Sequence, residues 1–143
     1  MKRRTALQLI GTSSLSAALP LKASSKETHP LGLGVALVGL GNYATRQLAP
    51  ALKQTKYCQL SAIVTGTPAK AKKWRLEHRL RPENIYNYDN FDEIADNDDI
   101  DIVYIVLPNF MHAEYTIRAL EAGKHVICEK PMAMNVKECK AML

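Results

Sequence analysis

Apolar positions run without interruption over residues 33–38 and stop at a glycine, the pattern of a parallel strand buried on both faces. Helical spacing follows over 43–53, with Leu48 and Leu52 on one stripe and Pro50 expected to bend the helix. Residues 59–64 read as a second strand, and 69–80 as a basic helix with Pro68 suited to its first turn. Ile85-Tyr86 makes a short third strand, and 91–95 a short helix ended by the acidic turn Asp96-Asn97-Asp98-Asp99. The clearest strand spans 102–107, where Pro108 stops it, and the helix over 112–122 is closed by Gly123. Residues 125–128 form the next strand. Asn135 then reads as the N-cap of a helix that the chain end cuts at Leu143. Strand alternating with helix in this way predicts an α/β fold built on a doubly wound parallel sheet, incomplete at its C-terminal end.

The start of the chain breaks this pattern. Lys2-Arg3-Arg4 precedes a mildly apolar stretch from Leu7 to Leu21 that five glycine and hydroxyl residues interrupt, the layout of a secretory leader. It is too short and too polar to span a bilayer, so no stable membrane insertion is expected. The arginine pair resembles a twin-arginine leader, with Ala6 where a bulky apolar residue is usual. We expect a signal peptide over 1–23, a polar linker over 24–32 and the folded domain over 33–143. The product would then be periplasmic, or cytoplasmic where the leader does not function. Twin-arginine export carries proteins already folded.

Charge adds little beyond this. The formal net charge is +5, from nineteen basic and fourteen acidic residues, and Lys2, Arg3, Arg4 and Lys22 supply four of the basic ones. Without them fifteen face fourteen, a net of +1. Near-neutral charge and the absence of a duplex- or single-strand-binding motif argue against a nucleic-acid partner. Cys58, Cys128 and Cys139 fit neither a disulfide framework nor a zinc spacing. Cys58 and Cys128, in strands, are expected as small buried hydrophobes.

The chemistry gathers after the strands. Gly39-Leu40-Gly41-Asn42-Tyr43-Ala44 joins the first strand to a helix. Gly39 permits the tight turn, Gly41 lets the backbone approach a pyrophosphate, and Ala44 keeps helix and strand close. Unpaired N–H groups at the helix start suit phosphates. A carboxylate ending the second strand would hold the ribose 2′-hydroxyl of NAD, but this strand runs into Thr65-Gly66-Thr67-Pro68-Ala69-Lys70 without an acid. The Thr65 hydroxyl and the Lys70 charge favour the 2′-phosphate of NADP, with NAD as the alternative, while Lys72 and Lys73 read as a solvated helix face. After the clearest strand come Leu107 and Pro108, and Asn109 either bonds a cofactor ribose or caps the next helix. His112 either lines the cleft or is structural. Glu129-Lys130-Pro131 follows the last strand, where parallel sheets bind their ligands. Lys130 is the candidate catalytic group, able to move a proton at, or stabilise charge on, a reacting oxygen. The bland alternative is a surface lysine paired with Glu129. Pro131 fixes the backbone beside it and admits a cis bond.

These motifs in this order resemble the glucose–fructose oxidoreductase / inositol dehydrogenase / MocA family. The resemblance runs over 33–143 and rests on the glycine motif, Leu107-Pro108-Asn109, His112-Ala113-Glu114, Ala122-Gly123-Lys124-His125 and Glu129-Lys130-Pro131-Met132-Ala133. Within the family, Val64-Thr65-Gly66 with Lys70 and an export leader looks most like glucose–fructose oxidoreductase. The resemblance implies a Rossmann-type NAD(P)-binding domain and a tightly held NADP, reduced by an aldose and reoxidised by a second sugar. It places Lys130 at the reacting oxygen, and Thr65 and Lys70 at the 2′-phosphate. Gly39, Leu40, Gly41, Asn42, Tyr43, Leu107, Pro108, Asn109, His112, Glu129 and Lys130 complete the cofactor-binding set. Two readings compete with it: an inositol or polyol dehydrogenase with a dissociable NAD(P), and a nucleotide-binding fragment without activity. The family also carries a second, substrate-covering domain. The chain is therefore expected to be a fragment, inactive by itself, of a protein that is homo-oligomeric at full length and acts on a sugar or polyol.

Overall fold

The structure is a computed structural model and describes residues 32–143. The expected leader over 1–23, and the linker up to residue 31, lie outside the described residues. Five parallel strands form one sheet in the order β3-β2-β1-β4-β5: β1 is Leu33–Val38, β2 Cys58–Val64, β3 Ile85–Tyr86, β4 Ile102–Ile105 and β5 His125–Cys128. The chain leaves β1 toward one edge, then crosses back after β3 to lay β4 against the other side of β1. Direction reverses between β1 and β4, which opens a crevice at their carboxyl ends.

The central strand β1 is apolar because both of its faces are covered, whereas the edge strand β5 leaves His125 and Ile127 exposed. On one face Ala36, Val38, Ala62, Val64, Val103 and Ile105 pack with Phe91, Ile94 and Tyr115. On the other, Val35, Leu37 and Ile63 pack with Ala44, Ala49 and Trp74. Helix α2 (Pro68–His78) starts on Pro68 and buries only Trp74, consistent with its basic sequence. Helix α3 (His112–Glu121) buries His112, Ala113, Tyr115, Thr116 and Ala119, and Gly123 follows it at φ +72°. Asn135 caps α4 (Val136–Ala141) by accepting the Glu138 N–H at 3.0 Å.

Three expectations change. The 43–53 segment is not one helix bent at Pro50: a π-helical turn, Ala44–Leu48, precedes α1, Ala49–Leu52. Pro50 has no N–H for a carbonyl four residues back, and a wider turn accommodates the missing bond. The 91–95 helix is a 3-10 segment, Phe91–Asp96. Strand β4 ends at Ile105, because its partner β1 turns away at Gly39 after a last bond from Val106 N to Val38 O at 2.8 Å. Cys58 and Cys128 are half-buried free thiols.

Candidate functional site

The glycine turn has the geometry a close-approaching ligand needs. Gly39 sits at φ +95°, and a Cβ there would come 2.5 Å from the Val106 carbonyl oxygen, so only glycine fits between β1 and β4. Gly41 differs: a Cβ there would meet nothing within 4 Å. The space that its missing side chain leaves faces solvent, where a pyrophosphate would lie. Leu40 points inward and is buried, so its side chain plugs the core and only its backbone serves the site. Asn42 and Tyr43 are exposed at the helix start, and Thr45 ties the turn by donating its hydroxyl to Gly41 O at 2.8 Å.

The exit of β2 converges on the same turn. Lys70 reaches from α2 to donate its ammonium to the Leu40 carbonyl at 3.2 Å, which holds a positive charge over the glycine turn. Thr65 is buried at 6% exposure, and its hydroxyl oxygen accepts the Thr67 N–H at 3.3 Å, leaving the hydroxyl proton to donate. The ring of Tyr88 closes the exit: a Cβ on Gly66 would meet it at 3.0 Å. Burial pushes the Tyr88 hydroxyl up, with Tyr115 adding to the effect. Thr65, Gly66, Pro68, Tyr88 and Asp89 line a hollow of about 440 Å³ between the exits of β2 and β3. Sequence reasoning missed Tyr88, although an aromatic residue just past a short strand is the signal that marks it.

The exits of β4 and β5 form the other half. Leu107 is buried, whereas Pro108 and Asn109 are exposed. Asn109 does not cap the following helix, and its amide has no hydrogen-bond partner among the described residues, so it is open to a ligand. His112 is 1% exposed, with Nε2 2.8 Å from Leu107 O and Nδ1 2.8 Å from Pro131 O. Both ring nitrogens are thus taken up by backbone, and the ring ties the β4 exit to the β5 exit instead of presenting a nitrogen to the cleft.

Lys130 sits at the end of β5, exposed, and the Lys130-Pro131 peptide is cis. Its ammonium has no ion-pair partner among the described residues. Glu129 does not pair with it. One carboxylate oxygen accepts the Tyr104 hydroxyl at 2.7 Å and the other accepts the Lys130 backbone N–H at 3.3 Å. Sequence reasoning passed over Tyr104 as a strand residue, although its hydroxyl is the one polar tip in the run Ile102-Val103-Tyr104-Ile105. Among the described residues no group of His, Cys, Asp and Glu is placed to hold a metal, and no helix is long and apolar enough to cross a membrane.

The residues fit a dinucleotide: an open cradle at Gly41, a turn only glycine can make, a cation over that turn, and an unengaged amide at the next strand exit. Comparison with known proteins agrees. The family model described as an oxidoreductase family with an NAD-binding Rossmann fold matches residues 33–143. The aldose-aldose oxidoreductase of Caulobacter crescentus, solved with glycerol, is 47% identical at a TM-score of 0.76, over 78% of this chain and 33% of that one. A 3-ketoreductase from Actinomadura kijaniata, solved with NADP, is 30% identical at a TM-score of 0.68, over 78% of this chain and 34% of that one. The D-xylose 1-dehydrogenase [NADP(+)] of Haloarcula marismortui is 32% identical over 108 residues, which are 76% of this chain and 30% of that protein. The chain spans about a third of the length of these relatives. Fold, site and kinship agree, and the chain belongs to the Gfo/Idh/MocA oxidoreductase family, of which it forms the NAD(P)-binding Rossmann domain.

Proposed function

We propose that this chain is the nucleotide-binding part of an exported, NADP-dependent sugar oxidoreductase. The observation that carries the choice of nucleotide is the Lys70 ammonium held on the Leu40 carbonyl beside a β2 exit that runs from Val64 to Lys70 without an acid. A 2′-phosphate there gains a charge-assisted hydrogen bond, whereas a bare 2′-hydroxyl finds no carboxylate on that strand. The nicotinamide, when bound, accepts or supplies the hydride. The protein's share is to exclude water, to hold the dinucleotide along the exits of β1, β2 and β4, and to move the proton at the sugar oxygen, taking it when the sugar is oxidised and returning it when the second sugar is reduced. Lys130 takes that last role, since Glu129 is engaged elsewhere and leaves the ammonium to the substrate. The sugar assignment is supported by the aldose- and xylose-acting relatives. Export rests on the Lys2-Arg3-Arg4 pattern alone and is tested by the N-terminal sequence of the mature product.

The deciding experiment purifies the full-length protein and looks for bound nucleotide, then follows its reduction by added aldose. NADP that copurifies and is reduced supports the proposal. A cofactor-free preparation that needs added NAD(P) and a cyclic polyol points to the dehydrogenase reading instead. Nucleotide that stays oxidised with every sugar and polyol tried points to a binding module. For Lys130→Ala we expect hydride transfer to slow by about 10²–10⁴ with nucleotide affinity nearly unchanged. An equal loss of both assigns Lys130 to binding or structure.

A further inference from the structure

A hydrogen bond between two side chains lies behind the proposed reacting lysine. Tyr104 stands on β4 opposite Ile127 of β5, and its hydroxyl extends past the strand end to Glu129 Oε1 at 2.7 Å. Glu129 N bonds Ile105 O at 3.1 Å, and Glu129 Oε2 receives the Lys130 N–H at 3.3 Å, so backbone and carboxylate are both fixed at this residue. Burial first, then the Glu129 carboxylate, pushes the Tyr104 hydroxyl well above the ordinary tyrosine range, so it remains the donor. A carboxylate held on both oxygens cannot swing to neutralise the neighbouring ammonium. The tie from Tyr104 therefore does two things: it fixes the turn from which Lys130 projects, and it keeps Glu129 off Lys130.

We propose that Tyr104 is a positioning residue for Lys130, acting through Glu129. The proposal rests on the reading of Lys130 as the group at the reacting oxygen, and the test separates the two. In the full-length protein, single-turnover reduction of bound NADP by aldose is measured for Tyr104→Phe, Lys130→Ala and the double variant, together with the nucleotide dissociation constant and the melting temperature of each. Phenylalanine keeps the ring and its packing, so melting and nucleotide affinity stay near those of the parent. The turnover rate falls roughly tenfold or more, and the same change on the Lys130→Ala background costs less than about twofold. A Tyr104→Phe protein with the parent rate overturns the proposal while Lys130 stands. Full additivity with Lys130→Ala also overturns it. A Lys130→Ala protein with the parent rate removes the underlying reading itself.

Discussion

Gly39 and Gly41 lie two residues apart and do different work. Gly39 is required by the chain itself: φ +95° and a 2.5 Å approach to Val106 O leave no room for a side chain. Gly41 is not, since a methyl there meets nothing within 4 Å. Gly39→Ala is therefore expected to destabilise the fold by on the order of 1–3 kcal/mol. Gly41→Ala should leave the melting temperature unchanged and weaken nucleotide binding by roughly 10–100-fold, the worth of a hydrogen bond or two to a charged phosphate. Thermal melts and a nucleotide titration on both variants check this, and equal behaviour of the two contradicts it. The turn at Gly39 was legible in the sequence, and Gly41, Asn109 and Lys130 stood out because each breaks a simple local pattern at a strand exit, while their ligand roles belong to the proposed function. For His112 the structural alternative holds, though its partners were not legible, and Glu129 was legible as a notable residue but not in its contacts. Each is defined by a partner far along the chain, Pro131 for His112 and Tyr104 for Glu129, and local spacing does not encode that distance.

The elements were legible wherever burial dictates composition. All five strands follow from apolar runs, and the ends of α3 and α4 from Gly123 and Asn135. What escaped was the helical type of short segments, which depends on a missing proline N–H at Pro50 and on packing around Phe91. That second segment is anchored by Arg118 of α3. Its guanidinium meets Asp92 twice, at 2.9 and 3.1 Å, and lies 4.9 Å from the centres of both the Phe91 and Tyr115 rings. Arg118→Ala is expected to cost about 1–2 kcal/mol, more from the rings than from a largely exposed ion pair. The hydrogen bond from Arg118 holds the Asp92 carboxyl below its usual range. Its contribution is therefore present above the ordinary aspartate pKa of about 4 and fades as pH falls below that value. Urea melts of the parent and of Asp92→Asn should differ at pH 6 and converge near pH 2. A gap that persists at pH 2 sinks the assignment.

At the scale of the molecule, the order β3-β2-β1-β4-β5 decides where chemistry is possible. It brings the exits of β2, β1, β4 and β5 side by side, so Thr65, Lys70, the glycine turn, Asn109 and Lys130 share one edge of the sheet although they span 92 residues of sequence. The motif order in the sequence was enough to reveal this layout, because parallel strands joined by right-handed crossovers leave few alternatives. The choice of NADP over NAD and the identity of the sugar are not properties of the layout, and both rest on particular side chains. The central claim is that Lys70 and the acid-free exit of β2 select the phosphorylated nucleotide. Calorimetric titration with NADP⁺ and NAD⁺, of the parent and of Lys70→Ala, tests it most directly. The account predicts tighter binding of NADP⁺ by the parent, and a loss of roughly 10–100-fold in Lys70→Ala for NADP⁺ with NAD⁺ little affected. Equal or tighter binding of NAD⁺ by the parent, or a Lys70→Ala loss shared equally by both nucleotides, would contradict it.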